Sequence, residues 1–184
     1  MRNAPVAPSN GSMTAKPAYP ATHWLVPARL AATGCIALSM GILVYLTERD
    51  ASHAWLIPAV STLTGVHLFG ALGQWLPSFV HPFAFSLFTA AALPPSGRPR
   101  YRACAVWFGI NVAFELGQYP RFSGPLARAI QDAFGSTAAT RQLANYLIRG
   151  TFDSGDIVAA ALGALAAAGV LRVAHRRLEN RCVQ

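Results

Sequence analysis

Apolar residues fall in long unbroken runs along the chain. No Asp, Glu, Lys or Arg occurs from Leu30 to Thr47, from Ala51 to Gly97, or from Ile157 to Leu171. A bilayer core takes about 20 apolar residues per helical span, and a helix satisfies its own backbone groups there. The first and last runs fit one span each, and the middle run has room for two. The pattern predicts spans at Leu30–Thr47, Leu76–Leu93 and Tyr101–Gln118. A final span opens at Asp153-Ser154-Gly155-Asp156 and reaches about Val173. Between the last two lies a polar connection, Arg121 to about Phe152, with amphipathic helices expected near Leu126–Phe134 and Ala138–Ile148. The expected fold is an all-α integral membrane bundle of four transmembrane helices, with five as the alternative. The alternative turns on Ala54–Trp75, which is apolar but interrupted by Pro58, Gly65, Gly70 and Gly73.

Composition agrees with this picture. Charged residues make up 12 % of the chain, about half the usual share of a soluble domain, leaving too few to coat a water-facing surface. The net charge of +8 does not indicate nucleic acid, because the arginines flank apolar runs and line no helix face. Read as topology signals, they favour four spans with the amino terminus in the cytoplasm. Arg2, Lys16, Arg29, Arg98, Arg100, Arg102 and the terminal Arg172, Arg176, Arg177 and Arg181 then lie inside. Five spans would carry the Arg98–Arg102 cluster outside, so Ala54–Trp75 is expected to be interfacial or re-entrant. Residues 1–23, with Pro5, Pro8, Pro17 and Pro20, are expected to form a disordered cytoplasmic tail. Residues 24–175 form the helical domain and 176–184 a basic cytoplasmic end. Cys35, Cys104 and Cys182 have no ligand spacing.

The candidate chemistry is a set of polar residues at one depth. Asn111, Glu115 and Gln118 are spaced i, i+4, i+7 and share one helix face. With four spans they meet His81, Asp153 and Asp156 at the outer leaflet. An ionisable group inside a span costs about 2.5–3.5 kcal/mol on insertion scales, so it faces protein or a water-filled cavity. The six residues would form a binding pocket for a cation, a proton or a polar head group. Simpler roles compete: Asp153 and Asp156 suit a helix start, and Asn111 and Gln118 suit interhelical hydrogen bonds. Ala159, Gly163 and Ala167, at four-residue spacing, allow close helix approach and offer a route to oligomerisation. No metal-binding motif is present, and the cofactor is left unassigned.

Phe114-Glu115-Leu116-Gly117-Gln118, followed by Gly150-Thr151-Phe152-Asp153-Ser154-Gly155-Asp156-Ile157 and Gly163, resembles the VanZ-like membrane protein family. The resemblance covers roughly Leu76 to Leu171 and includes the His81 helix. It implies a small helical membrane fold, with Glu-x-x-Gln ending one helix and an aspartate opening the next. It marks His81, Glu115, Gln118, Asp156 and Gly163. The family's named member is linked to reduced susceptibility to teicoplanin. This chain departs in two places: Ala160 stands where the family often has Asn or Asp. Gly150 stands where it often has Arg, with Arg149 one position away.

The leading expectation is a VanZ-like protein of the cell envelope, in the inner membrane, that binds a polar or lipid-linked ligand. The alternatives are a membrane enzyme acting on a lipid-linked substrate, with Glu115 as base and His81 as acid or metal ligand, and an accessory membrane subunit. A coupled transporter is a further reading, without the internal repeat common in transporters.

Overall fold

The structure, a computed structural model, describes residues 25–48, 68–94 and 98–182. The expected tail (1–23) and most of the Ala54–Trp75 segment lie outside the described residues. Every regular element among the described residues is helical: α1 (Leu25–Glu48), α2 (Leu72–Ala92), α3 (Arg98–Gly117), α4 (Pro120–Phe134), α5 (Ala138–Arg149) and α6 (Ser154–Cys182). Two of them, α1 over Leu25–Thr47 and α6 over Ser154–Arg177, are long and apolar enough to cross a membrane.

The hydroxyls in α1 are satisfied without leaving the helix. Thr33, Ser39 and Thr47 each donate to the carbonyl four residues earlier, at 2.9, 2.9 and 3.0 Å. This back-bonding lets a polar side chain sit in an apolar helix. Helix α2 begins at Leu72, four residues before the expected start. The carbonyls of Phe69 and Gly70 accept from the first helical amides, and Gly70 takes φ +49°, open to a residue without a Cβ. Pro77 and Pro82 lie inside α2, and each removes one i→i−4 bond. The start of α4 also precedes expectation, at Pro120. A proline at N1 loses only an amide that has no helical partner, and the helix continues through Gly124-Pro125.

Helix α2 lies at the centre and packs on α1, α3 and α6, while α3 also packs on α6. The seams are built on small residues, which let backbones approach. Gly34 of α1 meets the ring of Phe88, and Gly41 meets Val80. Residue numbers rise along α1 as they fall along α2, so the two are antiparallel. On the other seam, Gly163 of α6 lies against the Phe79 carbonyl, and Ala159, Ala160 and Ala167 are buried. The Ala159, Gly163, Ala167 stripe is therefore packed within the chain, against α2.

A core cluster joins Leu30, Leu87, Ala90, Cys104, Ala164, Ala167 and Leu171. It unites the start of α1, the end of α2, the start of α3 and the later part of α6. The other end of the bundle consequently brings together the ends of α1 and α3 with the starts of α2 and α6. Helices α4 and α5 pack on each other at this end. Gly117 closes α3 where Leu126 of α4 and Leu147 of α5 press in. Thr137 caps α5, its side chain accepting from the Thr140 amide at 3.2 Å. Helix α6 continues unbroken to Cys182, beyond the expected end at Val173, because Arg172, Arg176 and Arg177 are as compatible with helix as the alanines before them.

Candidate functional site: a cavity at one end of the bundle

Helical periodicity builds the site from three stripes. On α3, Trp107, Asn111, Glu115 and then Gln118 follow one face. On α2, Gln74, Ser78, His81 and Phe85 do the same at i, i+4, i+7 and i+11. On α5, Gln142, Tyr146 and Arg149 share the polar side of an amphipathic helix whose Ala144 and Leu147 are buried. Apart from Gln74, the residues of these stripes line, with Tyr45 of α1 and Asp156 of α6, an open cavity of about 840 Å³.

Five of the six expected site residues, His81, Asn111, Glu115, Gln118 and Asp156, line this cavity. Asp153 does not. It stands just ahead of α6, where one carboxylate oxygen accepts from the Gly155 amide at 2.8 Å as a helix cap. Its other oxygen accepts from Gln74 Nε2 at 3.2 Å and Trp75 Nε1 at 3.3 Å. Asp153 thus ties the start of α2 to the start of α6. These bonds hold its carboxyl below the usual range, the Gly155 amide contributing most.

Asp156 lies in the first turn of α6, where the helix dipole favours a carboxylate. Its Oδ1 accepts from Ser78 Oγ at 2.7 Å, a hydrogen bond across the α2–α6 seam. Glu115 Oε2 accepts from the Asp153 amide at 3.5 Å, a long bond from the loop before α6 to α3. Arg149 is the one arginine among the residues that line the cavity with the carboxylates of Glu115 and Asp156.

Among the described residues, neither of the two amides expected to join helices makes a side-chain hydrogen bond to another helix. Asn111 Nδ2 donates to the Trp107 carbonyl of its own helix at 2.8 Å. Gln118 is 6 % exposed, its side chain packed against Gly150 at the end of α5. Gly150 lies directly on the Gln118 side chain, and any Cβ there would overlap its Oε1. Burial, and then the nearby Glu115 carboxylate, pushes the Tyr146 phenol above its ordinary range, so it stays neutral.

An aromatic wall continues the cavity toward the middle of the bundle. Phe85 stacks on Trp107 with ring centroids 4.7 Å apart, and His81 stacks on Phe85 at 6.1 Å. Trp107 Nε1 donates to Thr89 Oγ1 at 2.9 Å, which fixes the indole. Ser78, Trp107, Tyr45 and Tyr146 also line the cavity, and a pattern of charged and amide groups alone does not mark them. The i, i+4, i+7 stripe through Gln74, Ser78 and His81 was the signal that could have found Ser78. Among the described residues, no three His, Cys, Asp or Glu side chains come together to hold a metal ion. Compared with protein-family models, curated proteins and solved structures, the chain matches none.

Proposed function

We propose that the chain is a VanZ-like integral membrane protein of the cell envelope, crossing the membrane four times and binding a polar or charged group in a cavity at the outer face. One observation carries the binding reading: Glu115, Asp156, Gln118, Asn111 and His81, from three separate helices, line one cavity. Carboxylates are costly in an apolar bundle, and hydrogen-bonding glue needs no ionisable group.

Several features support the membrane reading. Helices α2 and α3, at 21 and 20 residues, have the length of a span, and Ser78, His81, Asn111 and Glu115 among their polar side chains line the cavity. Large apolar side chains face outward along α1, α3 and α6, among them Ile36, Val106, Val158, Leu162 and Leu165, each more than half exposed. Such a belt is unfavourable in water and neutral in lipid. Arg98, Arg100 and Arg102 open α3, and Arg172, Arg176 and Arg177 lie late in α6. Both groups belong to the end away from the cavity, and the positive-inside rule assigns that end to the cytoplasm.

The test is complementation of a deletion strain, scored by glycopeptide and detergent susceptibility, with membrane insertion verified for each variant. Glu115→Gln and Asp156→Asn should insert normally and fail to complement. Full complementation by both would rule out a working site.

A further inference from the structure

The cavity has a direction. Its polar groups, Glu115, Gln118, Ser78 and Asp156, gather where α3 ends and α6 begins. Toward the middle of the bundle the lining becomes Phe85, Trp107 and Ile110, with His81 and Asn111 beside them. From Trp107 to Gly117 the wall follows about 15 Å of helix at a rise of 1.5 Å per residue. That is half of a hydrocarbon core about 30 Å thick, the depth of one leaflet. The space lies between α2, α3 and α5, with Tyr45 contributed by α1; α1 and α3 both pack on α2 and make few contacts with each other. A groove one leaflet deep, polar at its outer end and aromatic below, has the shape of an amphiphile.

Charge selects among amphiphiles. The polar end carries two carboxylates and one arginine, with Tyr45, Phe114 and Tyr146 around them. Carboxylates beside aromatic faces favour an organic cation, and an arginine favours a phosphate. We propose that the groove binds a phospholipid whose head group carries an ammonium. The ammonium lies between Glu115 and Asp156, the phosphate faces Arg149, and one acyl chain runs along Phe85, Trp107 and Ile110. A volume of about 840 Å³ is within the range of small-molecule sites and takes the head group with the upper part of one chain. This assignment rests on the binding reading above and names its ligand.

The experiment uses full-length protein in vesicles and the fluorescence of Trp107, defined as the difference between wild type and Trp107→Phe. Bromine on the acyl chain quenches an indole it touches. Phosphatidylethanolamine and phosphatidylglycerol with the same brominated chains are compared, each diluted into the other lipid without bromine. Half-quenching should need about tenfold less of the ethanolamine lipid. Glu115→Gln should bring the two lipids close to equal. Arg149→Gln, at an exposed position, should reduce the preference about threefold without disturbing the fold. Equal quenching by the two lipids in the wild-type protein overturns the assignment, whatever the variants do. If Glu115→Gln still fails to complement in that case, the site stands and the ligand class falls. If quenching is selective in the wild type and unchanged in Glu115→Gln, the placement of the ammonium is overturned.

Discussion

Gly163→Ala probes the seam that holds the cavity together. A methyl group at Gly163 would overlap the Phe79 carbonyl oxygen and approach the Phe79 carbonyl carbon to 3.0 Å and Pro82 Cγ to 3.2 Å. The nearest obstacle is backbone, so no side chain can rotate aside, and α2 must move away from α6. Overpacking of this type costs about 1–3 kcal/mol, with a backbone obstacle placing it near the upper end. Against that, alanine is favoured over glycine inside a helix by about 0.8–1.0 kcal/mol. The expected net loss is about 2 kcal/mol. Gly169, six residues along the same helix, has nothing within 4 Å of its would-be Cβ. Gly169→Ala should therefore gain up to about 1 kcal/mol from the same propensity. The two variants are chemically identical and should differ by about 3 kcal/mol, roughly two decades in the unfolding constant. Reversible unfolding in mixed dodecylmaltoside–SDS micelles, followed by far-ultraviolet circular dichroism, measures both. A Gly163→Ala protein as stable as wild type, beside a Gly169→Ala control that behaves as stated, would refute the close α2–α6 crossing.

Gly150 carries a related prediction at the cavity. Its backbone, at φ −65° and ψ 149°, suits alanine, but the methyl would displace Gln118 from its buried place beside Tyr146. Gly150→Ala should destabilise by about 1–3 kcal/mol; in a Gln118→Ala background most of that cost should vanish, as a double-mutant cycle would report. Asp153 sets an acid limit on the tie between α2 and α6. Its folded-state pKa is lowered, so its contribution is present above the unfolded value of about 3.9 and is lost as pH falls through the lower folded value. Thermal stability measured from pH 6 down to pH 2 should decline more steeply in wild type than in Asp153→Asn; parallel curves would remove Asp153 as a contributor. In a Cys-free protein, single cysteines at residues 97 and 180 should label from the cytoplasm and one at Gly135 from the outside. Any other pattern would refute four crossings with the cavity outside.

Much of the helical skeleton was legible from one-dimensional information. Runs without charge located α1 and α6, because a span must be apolar along its whole length. The spacing of Asn111, Glu115 and Gln118 puts three polar groups on one side of α3 and the turn that follows it, since helix periodicity is local. The early start of α2 was less legible. Gln74 and the glycines around it read as interruptions, whereas Gln74 and Trp75 in fact reach Asp153. Alternation of polar and apolar residues also marked α5, but it could not say that the polar side would face the cavity.

Along the chain itself, then, were written the helices, their polar stripes, and the small residues at Gly163 and its neighbours, all of which depend on near positions. Only the folded bundle decided which stripes meet. It set Asp156 against Ser78, 78 positions away, kept Asp153 out of the cavity as a cap, and packed the small-residue stripe against α2. Those outcomes depend on how whole helices seat against one another, and no local pattern encodes the rotation of one helix relative to its neighbour.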